Sequence, residues 1–340
     1  MLSQPVRSRF VPSVAVLCLL GELLCASAQD RVEPPLKFVR QFSSAADVTH
    51  DAHPIANRTL DIVAGPGESR PRIDHLVAPS GVATDRWERV LVTDPQAGVL
   101  HVFDFERSKY FVLGGRASHL KSPSGVAVDA AGNIYLTDPV VVAVAVYDSG
   151  GKFLHYLGKL AGAESYFQYP KGIAIDEASG HIYVCDARRH MVLLLDKKGH
   201  ILAHIGKRWG GKGPGEFRYP SQVAISGNEL FVLDQANSRL QILDLAGHFR
   251  REIKLPEVNA DAGLALDEAK NIYISDPQFS VINVFAYDGH FLYKFGGNGN
   301  KPGEFNAPAG LWIDSGKTLY VADTQNKRIQ EFQIEPLAQH

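Results

Sequence analysis

Short hydrophobic runs separated by turn residues recur along most of this chain. In the segment PSGVAVDAAGNIYLTDP, residues 123–139, the runs GVAVD and IYLTD are rich in β-branched and aromatic residues. Gly, Asn and Asp lie between the two runs, and these residues tolerate the backbone conformations of a tight turn. The copies of this segment lack the 3.6-residue period of an amphipathic helix. The pattern therefore predicts two short antiparallel strands joined by a turn.

The strand pair recurs in copies that align on the aspartate ending the second strand. These aspartates are Asp94, Asp138, Asp186, Asp234, Asp276 and Asp323. The steps between them are 44, 48, 48, 42 and 47 residues, which is the spacing of β-propeller blades. A second strand–turn–strand segment follows, as in LLLDKKGHILAHIG at residues 193–206. Each copy predicts strands a to d of one blade, and the fold predicted is an all-β, six-bladed β-propeller of four-stranded antiparallel blades.

The ring needs one more strand, because the sixth copy ends after its third strand, Arg328–Ile334. An N-terminal strand is expected to close the ring and leave no open edge. The linker spacing from Gly206 to Pro220, applied backwards from the first copy, places that strand at Thr59–Ala64, with Lys37–Phe42 as the alternative. The predicted organisation is therefore an extended lead-in at 29–57, a propeller at 58–334 and a C-terminal tail at 335–340.

The first residues have the pattern of an export signal. Two arginines precede the apolar run Phe10–Leu24, and Ala26 and Ala28 supply a small-residue cleavage pattern. The run is short for a membrane span. We therefore expect residues 1–28 to be a signal peptide and the mature chain to be periplasmic or secreted, with no stable membrane span. A lipid anchor on Cys25 and an uncleaved signal anchor are the alternatives.

Composition fits one soluble domain, expected to be a monomer. Hydrophobic residues make up 45% of the chain and charged residues 21%. Loss of residues 1–28 would remove two basic residues and one acid, which changes the formal charge from −2 to 33 minus 36, or −3. Such a weak balance argues against a nucleic-acid partner, whose phosphates require many cations. Cys185 would be the remaining thiol, and its place in the predicted strand IYVCD indicates a buried, unreactive side chain.

Histidines and aspartates are the candidates for metal binding. His200, His248 and His290 follow the glycine of the c–d turn in successive copies, so we expect them about 15–20 Å apart on the rim. Zinc needs its ligands within about 2.1 Å of one ion. The six repeated aspartates resemble a ring of calcium ligands. Each of them also precedes a turn, and its carboxylate can accept hydrogen bonds from the backbone amides of that turn. We therefore expect no cofactor, with Ca²⁺ or Zn²⁺ as the alternative.

Several of the repeated motifs resemble those of a known family. The strings P-x-G-V-A-V-D and G-N-I-Y-V-x-D describe the two strands of a copy. The turn DQANSRL at 234–240 has the counterpart DTQNKRI at 323–329, and the linker GKGPGEFRYP at 211–220 has the copy GNKPGEFNAP at 299–308. Over about residues 58–334 the chain resembles the NHL repeat family of six-bladed β-propellers, in its exported bacterial type. The resemblance implies several functions: protein or RNA docking platforms, extracellular sensor domains, and a metal-dependent lyase that cleaves peptidyl-hydroxyglycine. Copies one, two and five depart from the pattern with the turns DPQAGVL, DPVVVAV and DPQFSVI.

The predicted d–a linkers and b–c turns meet on one face of the propeller, which we call the linker face. The basic and aromatic candidates on this face are Arg188, Arg189, His190, Arg208, Trp209, Arg218, Tyr219, Arg239 and Arg328. Arginine beside aromatic residues is the composition of interaction hot spots, whereas turns one, two and five are apolar. We predict a non-enzymatic exported scaffold that docks an acidic protein or peptide here, and we assign no catalytic residue. Separate solvated side chains, with Arg239 and Arg328 bracing turns, are one alternative, and a metal-dependent lyase or lactonase is the other.

Overall fold

Six four-stranded antiparallel sheets form the architecture of the protein. The structure is a computed structural model that describes residues 34–49, 73–115, 118–159, 164–256, 258 and 261–335. The first strand of each sheet contacts the first strands of the neighbouring sheets, so these strands surround a common axis. This arrangement confirms the predicted six-bladed β-propeller. None of the helices in the described residues is long and apolar enough to cross a membrane.

The first strand of the chain is Leu36–Phe42 (β1). The strands of blades one to three are, in the order a to d, Val82–Thr84 (β2), Val90–Asp94 (β3), Val99–Asp104 (β4), Lys109–Gly114 (β5); Val126–Val128 (β6), Ile134–Asp138 (β7), Ala143–Tyr147 (β8), Phe153–Leu157 (β9); Pro170–Ile175 (β10), Ile182–Asp186 (β11), Met191–Leu195 (β12), Ile201–Gly206 (β13).

The remaining blades follow the same order. Their strands are Pro220–Ser226 (β14), Glu229–Asp234 (β15), Arg239–Asp244 (β16), Phe249–Lys254 (β17); Leu264–Leu266 (β18), Ile272–Asp276 (β19), Val281–Phe285 (β20), Phe291–Gly296 (β21); Pro308–Ile313 (β22), Thr318–Asp323 (β23), Arg328–Ile334 (β24). Short 3-10 helices lie at Ala45–Asp47, Ala187–Arg189, Gln235–Asn237 and Thr324–Asn326.

The closing strand of blade six is β1, Leu36–Phe42, which pairs antiparallel with β24. The prediction that Thr59–Ala64 occupies this position was wrong, whereas the alternative, Lys37–Phe42, is confirmed. Thr59–Ala64 lies outside the described residues. The assignment of residues 29–57 to an extended lead-in was also wrong over β1, so the propeller begins before residue 58. The error came from applying the linker length of other blades to a connection that is longer.

Apolar and charged contacts hold β1 against blade six. Phe38 packs edge-on against Phe332, with 5.9 Å between ring centroids, and Phe42 is buried. The Arg40 Nε donates to the Glu331 Oε2 at 2.8 Å. Burial raises the pKa of Glu331, and the hydrogen bond from Arg40 opposes that rise. Glu331 is a buried carboxylate on β24, and it therefore depends on Arg40 of β1 for its charged partner.

The hydrophobic core lies between blades rather than in one central mass. Each cluster of buried side chains in the described residues combines two neighbouring blades, as in the cluster of Tyr183 with Leu230 and Val232 between blades three and four. Phe217 and Phe305, both from linkers between blades, are fully buried in two of these seams. Cys185 is buried in the same seam as Phe217, and burial raises the pKa of its thiol, which confirms the predicted unreactive role.

Candidate functional site

The repeated aspartates fasten the b–c turns to the d–a linkers. Asp138 accepts hydrogen bonds from the Lys121 and Ser122 amides at one oxygen and from the Val140 and Val141 amides at the other, at 2.6 to 3.0 Å. Comparable linker or turn amides bond to Asp94, Asp186, Asp234, Asp276 and Asp323. This confirms the turn-bracing role predicted for them. In the described residues no group of three or more His, Cys, Asp or Glu side chains is placed to hold a metal ion.

Arg239 and Arg328 are parts of this bracing and are not available on the linker face. Each is only 6% exposed. The Arg239 Nε donates to Asp234 at 2.9 Å, and its two terminal nitrogens donate to the carbonyls of Lys212, Gly213 and Glu216 at 2.8 to 3.1 Å. We therefore remove both arginines from the predicted binding face, because a guanidinium saturated by linker carbonyls has no donors left for a partner.

Arg328 repeats this pattern in blade six. Its Nε donates to Asp323 at 2.7 Å, and its terminal nitrogens bond to the carbonyls of Asn300, Lys301 and Glu304. We call this arrangement, in which one arginine bonds both its aspartate and the linker carbonyls, a clasp. The two clasps fix the linkers between blades three and four and between blades five and six in the same way. The linkers can therefore be compared residue by residue.

The comparison shows an insertion in the linker between blades three and four. Three residues separate Gly206 from Gly210, whereas one residue separates the matching Gly296 and Asn298. The additional residues are the two central residues of a β-turn, Arg208 and Trp209, because the Gly210 amide donates to the Lys207 carbonyl at 2.8 Å. Trp209 is 87% exposed. The guanidinium carbon of Arg208 lies 5.4 Å from the centroid of the Trp209 ring.

A second pair of aromatic side chains lies beside this turn. Tyr219 is 45% exposed, and its ring meets the His190 imidazole edge-on at 4.8 Å between centroids. The Tyr219 backbone N–H donates to the His190 Nδ1 at 3.2 Å. A methyl group on Gly210 would lie 3.2 Å from the His190 ring, so the turn that carries Trp209 packs against the same imidazole. His190 therefore joins the turn of blade three to the linker.

Three arginines complete the group. Arg188 is exposed, and its guanidinium lies 4.8 Å from the Tyr169 ring centroid. Arg208 and Arg218 are also exposed. None of the three forms an ion pair with a carboxylate of the described residues. We define the basic–aromatic cluster as Arg188, His190, Arg208, Trp209, Arg218 and Tyr219.

Arg189 differs from its neighbours in the predicted set. It is partly buried, and its Nε lies 3.6 Å from the Asp186 Oδ2. Blade three has Met191 where blade four has Arg239, so Asp186 lacks the guanidinium clasp. Burial raises the pKa of Asp186, and amide hydrogen bonds from Tyr169 and Gln168 oppose the rise. Arg189 therefore acts as a partial substitute for the missing clasp, beneath the basic–aromatic cluster.

Apolar side chains flank the cluster on both sides. Val140 in the turn of blade two is 65% exposed, and Phe279 in the turn of blade five is 67% exposed. Blade two neighbours blade three and blade five neighbours blade four. The basic and aromatic turns of blades three and four are therefore adjoined on either side by the exposed apolar side chains of blades two and five.

The axial channel is chemically different from the linker face. Its volume is about 210 Å³, and aliphatic side chains of the a strands line it. Glu177 is the ionisable side chain among the described residues of its wall. Five blades place a glycine near the start of their a strand, and blade four places Gln222 at the matching position. A methyl group on Gly263 would lie 2.3 Å from the Ala309 carbonyl oxygen, which explains why a glycine is needed.

The three rim histidines are isolated from one another, as their positions predicted. His200 and His248 contact aspartates of their own turns, with 2.7 Å from the His200 Nδ1 to the Asp196 Oδ2 and 3.1 Å from the His248 Nδ1 to the Asp244 Oδ2. His290 is likewise in its own turn, with 3.8 Å to Asp288. These side chains are turn residues on the face opposite the linker face.

Comparisons with known proteins agree on the fold. A family described as "6-bladed beta-propeller" matches residues 174–276 and 265–338. No curated protein matches the chain. The resemblance to NHL repeats stays a prediction, since the description of the matching family names the fold and no NHL repeat.

Solved structures of similar shape include several enzymes. A streptogramin B lyase shares 14% identity with a TM-score of 0.56, over 76% of this chain and 94% of that one. The virginiamycin B lyase of Staphylococcus aureus shares 13% with a TM-score of 0.57, over 88% and 99% of the two chains. A gluconolactonase of Xanthomonas campestris shares 15% with a TM-score of 0.61, over 76% and 86%. At these identities the likeness concerns the fold alone.

Proposed function

We propose that this protein is an exported, non-enzymatic binding propeller that docks an acidic protein or peptide partner on the basic–aromatic cluster. The observation that carries the proposal is Trp209, which is 87% exposed on a two-residue insertion that the matching linker lacks. The propeller closes the seam between blades five and six without such a turn. An indole that the fold does not need, held in water beside an arginine, is the side chain type that dominates binding interfaces.

The support beneath the cluster favours tight binding. Arg239 donates hydrogen bonds to the carbonyls of Lys212 and Gly213 in the linker, and the His190 Nδ1 accepts one from the Tyr219 amide. A surface that is already ordered loses less conformational entropy when a partner binds. The basic–aromatic cluster is therefore prepared to bind without a large rearrangement.

The charge of the cluster supports an acidic partner. Arg188, Arg208 and Arg218 are exposed and have no carboxylate partner among the described residues. Complementary charges on a partner would set the orientation and speed of docking. Val140 and Phe279 would contact apolar residues at the two ends of a longer partner segment.

Charge reversal tests the site. The triple variant Arg188→Glu, Arg208→Glu and Arg218→Glu should weaken binding about a hundredfold or more, because like charges then face the partner. The measurement is fluorescence anisotropy with an acidic dodecapeptide chosen from an array of Glu- and Asp-rich sequences. The melting temperature should be nearly unchanged, since exposed substitutions usually alter stability by about 0.5 kcal/mol or less.

The matched control reverses Lys152, Lys197 and Lys198, which are exposed on the opposite face. Peptide binding should be unaffected in that variant. Equal loss in both triple variants would indicate diffuse electrostatics, and full binding by the first variant would place the docking surface elsewhere. Trp209→Ala alone should weaken binding about thirtyfold if the indole is the anchor.

The alternative function is a metal-dependent lyase or lactonase, and the structural neighbours include a streptogramin B lyase and a gluconolactonase. The channel wall offers one carboxylate, Glu177, in its described part, whereas zinc and calcium sites combine several donors. Elemental analysis of the purified protein decides between the two. Stoichiometric zinc or calcium together with lactone or peptide-derived turnover would favour the enzyme.

The proposed export predicts that residues 1–28 are removed. Residues 1–28 lie outside the described part of the chain, and the proposal of cleavage after Ala28 depends on the apolar run and the CASA sequence. The intact mass of the protein isolated from the producing cell should equal that of a chain that begins at Gln29. A diacylglyceryl group on Cys25, or a retained Met1, would contradict it.

A further inference from the structure

His190 occupies a position that links the two segments of the basic–aromatic cluster. It lies at the end of the 3-10 helix Ala187–Arg189 in a left-handed conformation, with φ of 59°. Tyr219 is also left-handed, with φ of 52°, and donates its backbone N–H to the His190 Nδ1. Each left-handed non-glycine residue carries a conformational cost. The hydrogen bond between them therefore helps to hold the linker in this arrangement.

The direction of this hydrogen bond fixes the protonation state that can form it. A backbone N–H only donates, so the His190 Nδ1 must present a lone pair to Tyr219. The neutral imidazole with its proton on Nε2 meets that requirement. The imidazolium carries a proton on both nitrogens and would point an N–H at an N–H.

The seam between blades five and six makes the same contact with a group that does not titrate. The Ala307 amide, which matches that of Tyr219, donates to the Ser280 Oγ at 3.5 Å. Ser280 and Ala307 are also left-handed, with φ of 56° and 53°. A serine hydroxyl therefore serves as the acceptor in this seam, so the contact does not need an imidazole.

We propose that His190 is a positioning residue for the docking site and that its protonation releases the linker and lowers partner binding. The inference rests on the proposed function, because it concerns the same surface. Histidine side chains change charge between about pH 5 and 8, so the site would respond to mild acid.

The charged side chains around His190 lie on two segments. Its own turn carries Asp186, Arg188 and Arg189. The linker that packs against it carries Lys207, Arg208, Lys212, Glu216 and Arg218, and Lys207 pairs with Glu216. Cations outnumber carboxylates on both segments. An imidazolium here would gain no new partner while it loses the Tyr219 amide.

The proposal predicts a pH dependence with the opposite sign to simple electrostatics. Added positive charge in a basic site should tighten binding of an acidic peptide. Loss of the positioning hydrogen bond should instead weaken it, by about tenfold between pH 8 and pH 5.5, given the usual contribution of such a bond. The peptide stays ionised at pH 5.5, because Asp and Glu titrate near about pH 4.

Variants at position 190 separate positioning from a merely structural role. His190→Asn places a carbonyl oxygen where Nδ1 lies, and asparagine tolerates the left-handed conformation, so the ratio of its peptide affinities at pH 8 and pH 5.5 should be close to one. His190→Ala has no acceptor and should bind weakly at both pH values. His200→Asn, a turn histidine on the opposite face, should keep the original pH profile.

A second readout does not require the peptide. In amide NMR spectra, the Tyr219 proton resonance should shift between pH 8 and pH 5.5, whereas the Ala307 resonance should stay constant because serine does not titrate. A Tyr219 resonance that stays constant, or peptide binding that tightens in acid with His190 present, would overturn the inference. Absence of peptide binding at pH 8 with a titrating Tyr219 resonance would instead contradict the proposed function and leave the positioning role established.

Discussion

A chain shortened to begin at Ser43 is expected to lose its cooperative unfolding transition and to aggregate. The deletion removes β1, the outer strand that closes blade six by pairing with β24. The backbone N–H and C=O groups of β24 would then form an open edge, which pairs readily with other chains. Glu331 would also lose Arg40, and removal of one partner from a buried ion pair is destabilising.

Circular dichroism during heating and size-exclusion chromatography measure this outcome. A chain that begins at Pro34 retains β1 and should melt like the full mature protein. Addition of a synthetic peptide with the β1 sequence and its flanking residues should restore part of the transition in the shortened chain, since the pairing does not require covalent attachment. A shortened chain that unfolds cooperatively at the original temperature would show that another segment closes the ring.

The blades were predictable because their chemistry repeats. Each copy has an aspartate that ends strand b, and each of these carboxylates bonds linker or turn amides in the structure. A local interaction that recurs six times leaves its signal at a constant register in the sequence. The closing strand has no such repeat, because β1 lies in blade six without the turn chemistry that marks the other strands.

The roles of the arginines could be predicted only in part. Arg239 and Arg328 follow the same D-x-x-N-x-R pattern and the same G-E-F linker. That joint occurrence is the signal that both are clasps, since the guanidinium bonds the carbonyls of that linker. Arg208 belongs to no such pattern. Its exposure follows from an insertion that alignment of the two linkers would have found.

The contact between His190 and Tyr219 could not be predicted from the sequence. It depends on two left-handed residues that are 29 positions apart and on how closely the linker approaches the turn. Neither residue is a glycine, so neither carries the usual sequence signal for that conformation. The match with Ser280 and Ala307 becomes visible only after the blades are superimposed.

Arg328→Met is expected to lower the free energy of unfolding by about 3–5 kcal/mol, the usual effect of breaking a buried ion pair. Asp323 would keep its amide donors from Asn306 and Asn326 but would lose its charged partner. Urea unfolding measures the loss. Lys327→Met is the matched control, because Lys327 is the exposed neighbour of Arg328, and it should change stability by about 0.5 kcal/mol or less.

Arg239→Met gives the same test in blade four and adds a functional readout. It should destabilise the protein by a similar amount, because Arg239 makes the matching bonds to Asp234 and to the linker carbonyls. Unlike Arg328, it holds the linker that carries Trp209, so Arg239→Met should also weaken binding of the acidic peptide by about tenfold under conditions where both variants are folded. If Arg328→Met weakens peptide binding as much as Arg239→Met does, the loss reflects general destabilisation and not the support of the basic–aromatic cluster.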